Sequence, residues 1–282
     1  MRLSFELALP PGINQQYYTH RGLHVLTPQS RRYRKAVEQQ MLRLYAQDLV
    51  SDRFLHAIQQ GHLSLFFRYY FETPLRRDLD GGLKITVDAI TSGLGAPDDS
   101  RVVDIHLLKY VDPLRPRLEV DVEIVEAWDW EIESEPAWTP IVLTLPLPPS
   151  INSQYVVVNG QRHRGSALRQ FRQDVKAAVA AHAIRERIPA TFHASGKPGY
   201  LGVYADFYFK NRQRRDVDNG LKALLDAFCS AIDMNDARVV DIHLTKRVSH
   251  AAPRTELQVD LFDDWQFTPE HQVLRPDQQR MF

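Results

Sequence analysis

Apolar and polar positions follow one another along the chain in an order that occurs twice. In each copy this pattern predicts strand, loop, helix, strand, helix, strand and strand. A strand of alternating residues opens each copy, at residues 2–9 and again at 141–147. Thr27 followed by Pro28 is typical of an N-cap with proline in the first turn, and predicts a long helix. Ser166 begins the matching helix in the second copy.

A second, amphipathic helix is predicted in the middle of each copy. Its apolar residues recur every three to four positions, starting at Leu83 in the first copy and at Leu221 in the second. Asp80 and Asp218 lie at or just before the first turn of these helices. Each copy is therefore predicted to be α+β, with a small mixed sheet of about four strands and two main helices. The later strands are predicted near 62–71, 101–110 and 117–125, and near 201–210, 238–248 and 254–262.

The similarity of the two copies extends to individual residues. Pro10 recurs as Pro148 and Asp78 as Asp216, at the same offset of 138 residues. An internal repeat of this length indicates two tandem domains, each near the common domain size. The predicted boundaries are a first domain at 1–127, an acidic linker with tryptophans at 128–139, a second domain at 140–263 and a polar, loosely held tail at 264–282.

The charge balance weakens the case for a generally basic surface. The 282 residues include 35 basic and 35 acidic ones, so the formal net charge is zero. Basic residues nevertheless cluster at 31–35 and 210–215, and local patches of this kind can bind phosphate groups. Cys229 is the single cysteine and permits no intrachain disulfide. No apolar run is long enough to cross a bilayer, so the cytoplasm is the expected location.

The motif Arg-Arg-Asp-x-Asp-x-x-x-Lys occurs in both copies, at residues 76–84 and 214–222. In an extended segment its two aspartates would point the same way, so both could face one ion. A third aspartate follows about a helix length later, and a return loop could bring it beside the pair. Carboxylates without cysteine or an adjoining histidine pair suit Mg²⁺ or Mn²⁺ rather than Zn²⁺. The predicted metal ligands are Asp78, Asp80, Asp99, Asp216, Asp218 and Asp236.

Each motif ends in a lysine, Lys84 or Lys222, one helical turn after the second aspartate. Such a lysine can hold a phosphate or stabilise charge on the scissile group. The alternative is an exposed ion pair that contributes about 0.3–0.5 kcal/mol. Recurrence beside a full set of carboxylates favours the catalytic interpretation. Asp88 and Asp226 recur one turn further on, and could pair with the lysines and orient them.

Three carboxylates beside arginines indicate a hard-cation site next to a phosphate site, and two such sites in one chain suggest an enzyme that cuts nucleic acid at two places. The arginines before the aspartates are therefore candidate contacts to the DNA backbone, and they could instead steady a carboxylate. A loop that begins with two prolines recurs at Pro10-Pro11 and Pro148-Pro149, and we call these the Pro-Pro loops. Their asparagines could approach the site or only satisfy the backbone of a turn. The predicted DNA-binding residues are Arg76, Arg77, Asn14, Arg214, Arg215 and Asn152. His106 and His243 recur inside predicted strands, where a histidine is more often packed and hydrogen-bonded than catalytic. They are not assigned to the site.

These residues together resemble the RusA family of Holliday junction resolvases. The resemblance rests on the Pro-Pro-x-x-Asn-x-x-Tyr segment, the aspartate–lysine motif, the later Asp-x-x-Val-Val-Asp and the closing strand. It covers nearly all of both copies. It implies small α+β homodimers of bacterial or prophage origin that cut four-way DNA junctions by paired symmetric nicks and depend on Mg²⁺. The implied active sites are Asp78, Asp80, Asp99 and Lys84 in the first copy and Asp216, Asp218, Asp236 and Lys222 in the second.

The chain departs from the family pattern in three ways. The asparagine that often follows the second aspartate is Asn219 in the second copy but Gly81 in the first. Asp98 corresponds to Asn235, so the two sites could be unequal. The fusion is the largest departure, and it predicts that the halves pack as a pseudo-dimer without an obligatory second chain.

The leading hypothesis is a single-chain resolvase in which each half nicks one strand of a four-way junction. A nuclease for other branched DNA, such as flaps or forks, is one alternative. A junction-binding protein that does not cut is another, although the intact carboxylates of both copies argue against it. An Asp-x-Asp site for nucleotide sugars fits the paired arginines and the duplication poorly.

Overall fold

The computed structural model describes most of the chain up to residue 268. Four predicted DNA-binding residues, Asn14, Arg76, Asn152 and Arg214, lie outside the described residues, as does most of the predicted linker. The residues that the structure does not describe are 13–14, 21–22, 76, 126, 129, 131–140, 151–152, 159–160, 190–191, 193–198, 212–214, 250–251 and 269–282.

Eight strands form a single mixed sheet, to which each copy contributes four. They are β1 (Arg2–Leu7), β4 (His62–Phe71), β5 (Val102–Val111), β6 (Arg117–Val125), β7 (Ile141–Leu145), β10 (Tyr200–Phe209), β11 (Val239–Val248) and β12 (Arg254–Phe262). Their order in the sheet is β1-β6-β4-β5-β11-β10-β12-β7. Two hairpins are separate, β2 (Tyr17–His20) with β3 (Leu23–Leu26) and β8 (Tyr155–Val158) with β9 (Gln161–Arg164).

The helices of the described residues are α1 (Pro28–Ala46), α2 (Asp52–Gln60), α3 (Leu83–Gly93), α4 (Ser166–Ala181), α5 (Ile184–Arg187) and α6 (Leu221–Ala231). α1 packs on α3, and α4 packs on α6. The predicted cap of α1 is confirmed, because the side chain of Thr27 accepts from the backbone N–H of Ser30 at 3.2 Å. The α+β prediction is also confirmed, but the two predicted sheets of about four strands are joined into one sheet of eight, because β5 pairs with β11. α2, α5 and the two hairpins have no counterpart in the predicted order of elements.

Each copy contains one pair of parallel strands. β4 and β5 run parallel and are connected through α3, while β6 is antiparallel to β4 and β1 is antiparallel to β6. The second copy repeats this arrangement with β10, β11, α6, β12 and β7. The chain therefore returns from the end of β4 to the opposite end of the sheet before it enters β5.

β5 and β11 join the two copies. They pair antiparallel, with His106 opposite His243 in the middle of the paired region. Because the two residues occupy equivalent positions, the copies are related by an approximate twofold axis at this pair. The ring of His106 lies 2.9 Å from a carboxylate oxygen of Asp241, and that of His243 lies 2.6 Å from one of Asp104. Each histidine thus pairs with an aspartate of the other copy.

A His243→Leu variant is expected to lose about 3 kcal/mol of unfolding free energy near pH 6, because Asp104 would keep a buried charge without its cationic partner. Burial lowers the pKa of His243, but the charge of Asp104 outweighs that effect and raises the pKa from 6.5 to about 9. The stabilisation is therefore complete below pH 6.5 and is lost as the pH rises through about 9.

Urea unfolding at several pH values would measure this effect. The difference between native protein and variant should shrink as the pH rises from 6.5 to above 9. His163→Leu is the matched control, since His163 is exposed on β9. An equal loss in both variants would contradict the role given to His243.

The segments after the last strand of each copy cross to the other copy. The indole N–H of Trp128 donates to the carbonyl of Lys246 at 2.9 Å, and that of Trp265 donates to the carbonyl of Lys109 at 2.8 Å. Of the two placements open for the tryptophans after the first copy, packing on a domain is the one observed. The prediction of a loosely held tail is wrong for its first residues, 264–268, because Phe267 also accepts from the N–H of Val111 at 3.0 Å. No helix in the described part of the chain has the length and apolar character needed to span a bilayer.

Candidate active sites

Asp78 and Asp80 lie on either side of a buried leucine at the start of a tight turn. Leu79 is 1% exposed, and the N–H of Gly81 donates to the carbonyl of Asp78 at 3.2 Å. The aspartates therefore lie in a turn, and the extended segment considered from the sequence is not formed here. The chain turns because α3 begins only three residues after Asp80. The second copy has the same turn, since the N–H of Asn219 donates to the carbonyl of Asp216 at 3.3 Å.

The Pro-Pro loops support these turns by close contact. A Cβ atom added to Gly82 would lie 2.1 Å from Cγ of Pro10, and one added to Gly220 would lie 2.3 Å from Cγ of Pro148. Only glycine permits such an approach, which explains the residue before each helix. The side chain of Gln16 further donates to the carbonyl of Gly81 at 3.0 Å. The Pro-Pro motif therefore fixes the position of the aspartate turn.

Lys84 joins acidic residues from both copies. Its ammonium group lies 2.7 Å from Asp99 and 2.9 Å from Asp88, which belong to the first copy. It also lies 2.9 Å from Asp216 of the second copy. We call this group, together with Asp98 and Asp218, the Asp216 site. The predicted pairing of Asp88 with Lys84 is confirmed, and a lysine that binds three carboxylates is more than an exposed ion pair.

Lys222 forms the equivalent group around the other turn. Its ammonium group lies 2.8 Å from Asp236, 2.9 Å from Asp226 and 3.5 Å from Asp78. Asp80 lies within range of the same charges, because Lys222 and Asp236 both influence its pKa. We call this group the Asp78 site. Each site therefore takes its aspartate turn from one copy and its lysine and third aspartate from the other.

The predicted grouping of three aspartates within one copy is wrong. The carbonyl of Arg77, next to Asp78, accepts from Lys109 near the end of β5 at 3.1 Å, whereas Asp99 comes just before Val102 at the start of that strand. These two strand positions are about 23 Å apart. Because β11 is antiparallel to β5, the end of β10 lies at the same end of the sheet as the start of β5. The chain leads from β10 to Asp216, which therefore meets Asp99.

Asp80 and Asp218 are the most buried members of the two sites, with 6% and 8% of their surface exposed. Burial raises the pKa of Asp80 to about 6 and that of Asp218 to about 7, although Lys222 and Lys84 oppose the shifts. Among the described residues, one carboxylate oxygen of Asp80 and both of Asp218 have no hydrogen-bond partner. Buried oxygens without donors are costly, and a bound cation would satisfy them. The donor set therefore fits a divalent metal ion.

The Asp216 site contains a cluster that could hold such an ion. Carboxylate oxygens of Asp98, Asp99 and Asp216 lie within 4.8 Å of one another. Oxygen ligands of this kind suit Mg²⁺ and Mn²⁺. Sequence reasoning did not assign Asp98 to the site, although its replacement by Asn235 in the second copy marks a difference between the sites. Asp98 and Asn235 each cap the turn that follows them. The side chain of Asp98 accepts from the N–H of Ser100 at 2.9 Å, and that of Asn235 accepts from the N–H of Ala237 at 2.8 Å.

Comparison with known proteins gives a family match over both copies. The family model described as Endodeoxyribonuclease RusA matches residues 8–123 and 146–260. The chain belongs to the RusA family. It is 30% identical over 118 residues to the crossover junction endodeoxyribonuclease RusA of Escherichia coli strain K12, and equally so to the proteins of that name from the O1:K1 and O6:H1 strains. Each match covers 91% of the relative and 42% of this chain, about one copy.

The two described arginines of the motif, Arg77 and Arg215, each lie against an aromatic ring. Arg77 donates to the carbonyl of Pro10, and its guanidinium lies 5.6 Å from the centre of the Phe71 ring. Arg215 lies over the ring of Phe209 at the same distance, 5.6 Å. Arg77 thus supports the Pro-Pro loop of this RusA-family chain, and the role of both arginines in binding DNA remains a prediction.

Proposed function

We propose that this chain is a Mg²⁺-dependent endonuclease that resolves four-way DNA junctions by paired nicks, one from the Asp78 site and one from the Asp216 site. The observation that carries the proposal is the presence of two equivalent acidic sites, each built from both copies. Membership of the RusA family and the name of the E. coli relatives support it. Those relatives also lead us to propose a bacterial or prophage origin and action in the cytoplasm.

The aspartates would hold the metal ion. In the Asp216 site these are Asp216, Asp218 and Asp99, with Asp98 as a further candidate; in the Asp78 site they are Asp78, Asp80 and Asp236. A bound Mg²⁺ ion would polarise the phosphodiester and help to ionise the attacking water. Mn²⁺ would fit the same oxygen ligands.

The lysines supply a fixed positive charge beside the carboxylates. Burial lowers the pKa of Lys84, but the charges of Asp218 and Asp88 and the hydrogen bond to Asp99 outweigh it and raise the pKa above its ordinary value. Lys84 therefore stays protonated at neutral pH. Lys222 has the same shift for the same reasons, with Asp80 as the strongest opposing charge. Either ammonium group could stabilise negative charge that develops on a scissile phosphate.

The approximate twofold axis provides the geometry for paired nicks. A symmetric cut needs two catalytic sites related by such an axis. Separate protein chains usually form such a pair of sites by dimerisation. Here the β5–β11 pair joins both halves of each site within one chain. We therefore propose that the fused copies act as an intramolecular pseudo-dimer and need no second chain.

Strand-resolved cleavage of a synthetic four-way junction tests the proposal. With each strand labelled in turn, the purified protein in Mg²⁺ should nick two opposite strands, and a chelator should reduce the rate on the order of 10³-fold. Flaps, forks and linear duplex should be compared at one salt concentration, because electrostatic binding depends steeply on salt.

The outcomes separate the alternatives. Faster cleavage of flaps or forks would indicate a nuclease for other branched DNA. Junction binding without metal-dependent nicks would indicate a binding protein. Equal cleavage of linear duplex would contradict structure specificity.

A further inference from the structure

Two buried lysines occupy equivalent places in the central strands of the sheet. Lys109 lies on β5 and is 0% exposed, and Lys246 lies on β11 and is 2% exposed. An ammonium group is among the most expensive groups to bury, and it is kept in a protein interior only where it has specific partners. The recurrence of such a lysine in both copies therefore points to a shared role.

Lys109 binds the backbone on both sides of the Asp78 site. Its ammonium group donates to the carbonyl of Arg77 at 3.1 Å and to the carbonyl of Ala237 at 2.6 Å. Arg77 immediately precedes Asp78, and Ala237 immediately follows Asp236. One buried cation thus connects the aspartate turn of the first copy to the third aspartate of the second copy.

Lys246 makes the equivalent contact at the Asp216 site. Its ammonium group donates at 2.8 Å to the carbonyl of Ser100, which immediately follows Asp99. Ser100 corresponds to Ala237 in the repeat. The contact again crosses from one copy to the other, so it ties the third aspartate to the copy that supplies the aspartate turn.

The backbone of each lysine is also held from the other copy. The carbonyl of Lys109 accepts from Trp265, and that of Lys246 accepts from Trp128. Each lysine is therefore fixed at its carbonyl by one segment of the opposite copy and at its ammonium group by another. A side chain held at both ends can set the distance between the segments it connects.

We propose that Lys109 and Lys246 are positioning residues, each of which keeps the two copies' contributions to one composite site at the separation needed to bind a single divalent cation. Lys109 acts at the Asp78 site and Lys246 at the Asp216 site. This inference rests on the proposed function, because it assigns the lysines to the metal sites of that nuclease. Lys109 and Lys246 act through backbone carbonyls, whereas Lys84 and Lys222 contact the carboxylates directly.

Binding of Mn²⁺ to the full chain, measured by calorimetry, tests the inference without relying on cleavage. The native protein should bind Mn²⁺ at both sites. Lys109→Met should weaken one site about 10–100-fold and leave the other unchanged, because residues behind the ligands typically contribute that much to metal affinity. Lys246→Met should weaken the other site, and the double variant both. Lys176→Met, at an exposed lysine of α4, is the matched control.

Strand-resolved cleavage then separates this inference from the proposed function. Lys109→Met should slow the nick that Asp80→Asn abolishes, and Lys246→Met the nick that Asp218→Asn abolishes. Selective loss of Mn²⁺ affinity in a protein that cuts no junction would support the inference and defeat the proposed function. Native cleavage and native Mn²⁺ affinity in both lysine variants would support the proposed function and overturn the inference.

Two further outcomes also decide the matter. Equal weakening of Mn²⁺ binding at both sites by Lys109→Met would indicate a general loss of folding, and it would overturn the inference. A native chain that binds no Mn²⁺ would also overturn it. If Lys109→Met does not fold, Lys109→Gln keeps an N–H donor in a smaller volume. That variant should lose about tenfold in affinity at one site, and an unchanged affinity would again overturn the inference.

Discussion

If the chain is the proposed nuclease, an Asp80→Asn variant is expected to nick only one of the two strands of a junction, and an Asp218→Asn variant only the other. Each substitution removes a buried negative charge from one composite site and should slow its nick about 10³-fold, equivalent to about 4 kcal/mol. The double variant should cut neither strand. The measurement is the rate of each nick on a four-way junction with the strands labelled separately.

Loss of cutting in these variants should not come from unfolding. The pKa of Asp80 is raised by burial to about 6, so an ionised Asp80 above that pH costs folding stability. Asp80→Asn removes this cost, and the metal-free variant should be at least as stable as the native protein in urea at pH 7.5. Asp52→Asn, at an exposed position of α2, is the control and should keep both nicks. Equal slowing of both strands by either single variant would contradict the assignment of one site to one strand.

Local signals in the sequence predicted the elements that carry the site. Thr27 caps α1 as the Thr-Pro pattern indicates, and Leu83 lies on the buried face of α3 that the spacing of apolar residues predicts. The pairing of Lys84 with Asp88 also follows from residues four positions apart on one helix. Each of these features depends on neighbours within a few turns, which is the range over which sequence patterns act.

The composition of each site could not be predicted in this way. Asp99 meets Asp216 because β5 pairs antiparallel with β11, and nothing in the local sequence of either strand specifies that partner. The repeat predicted two equal domains and therefore suggested two self-contained sites. The direction of one strand pair at the centre of the sheet changes that result, since it places the start of β5 beside the aspartate turn of the other copy.

The buried lysines were missed for a related reason. Lys109 lies in β5 and Lys246 in β11, and a lysine in a strand usually indicates an exposed position or a sheet edge. Their partners are backbone carbonyls, which leave no mark on the sequence. The only available signal was their recurrence at equivalent positions of the two copies. Trp128 and Trp265 recur in the same way, and they too contact the opposite copy.

Two double variants are expected to behave in opposite ways, and they separate composite sites from sites confined to one copy. Asp80→Asn with Lys222→Met alters only the Asp78 site, although the two residues come from different copies. This variant should therefore lose one nick and make the other at the native rate. Asp80→Asn with Lys84→Met alters two residues of one copy but affects both sites, so it should make neither nick.

The comparison has a built-in control, because both double variants carry the same aspartate substitution and an equivalent lysine substitution. Lys84 and Lys222 have the same side-chain exposure, 22%, so a general loss of folding would affect the two variants alike. Sites confined to single copies would give the reverse result, with one nick retained by Asp80→Asn with Lys84→Met. Such a result would mean that the cross-copy contacts of Lys84 with Asp216 and of Lys222 with Asp78 do not reflect the arrangement on DNA. The expected result would instead mean that neither copy can cut without the other, because each supplies what the other's aspartate turn lacks.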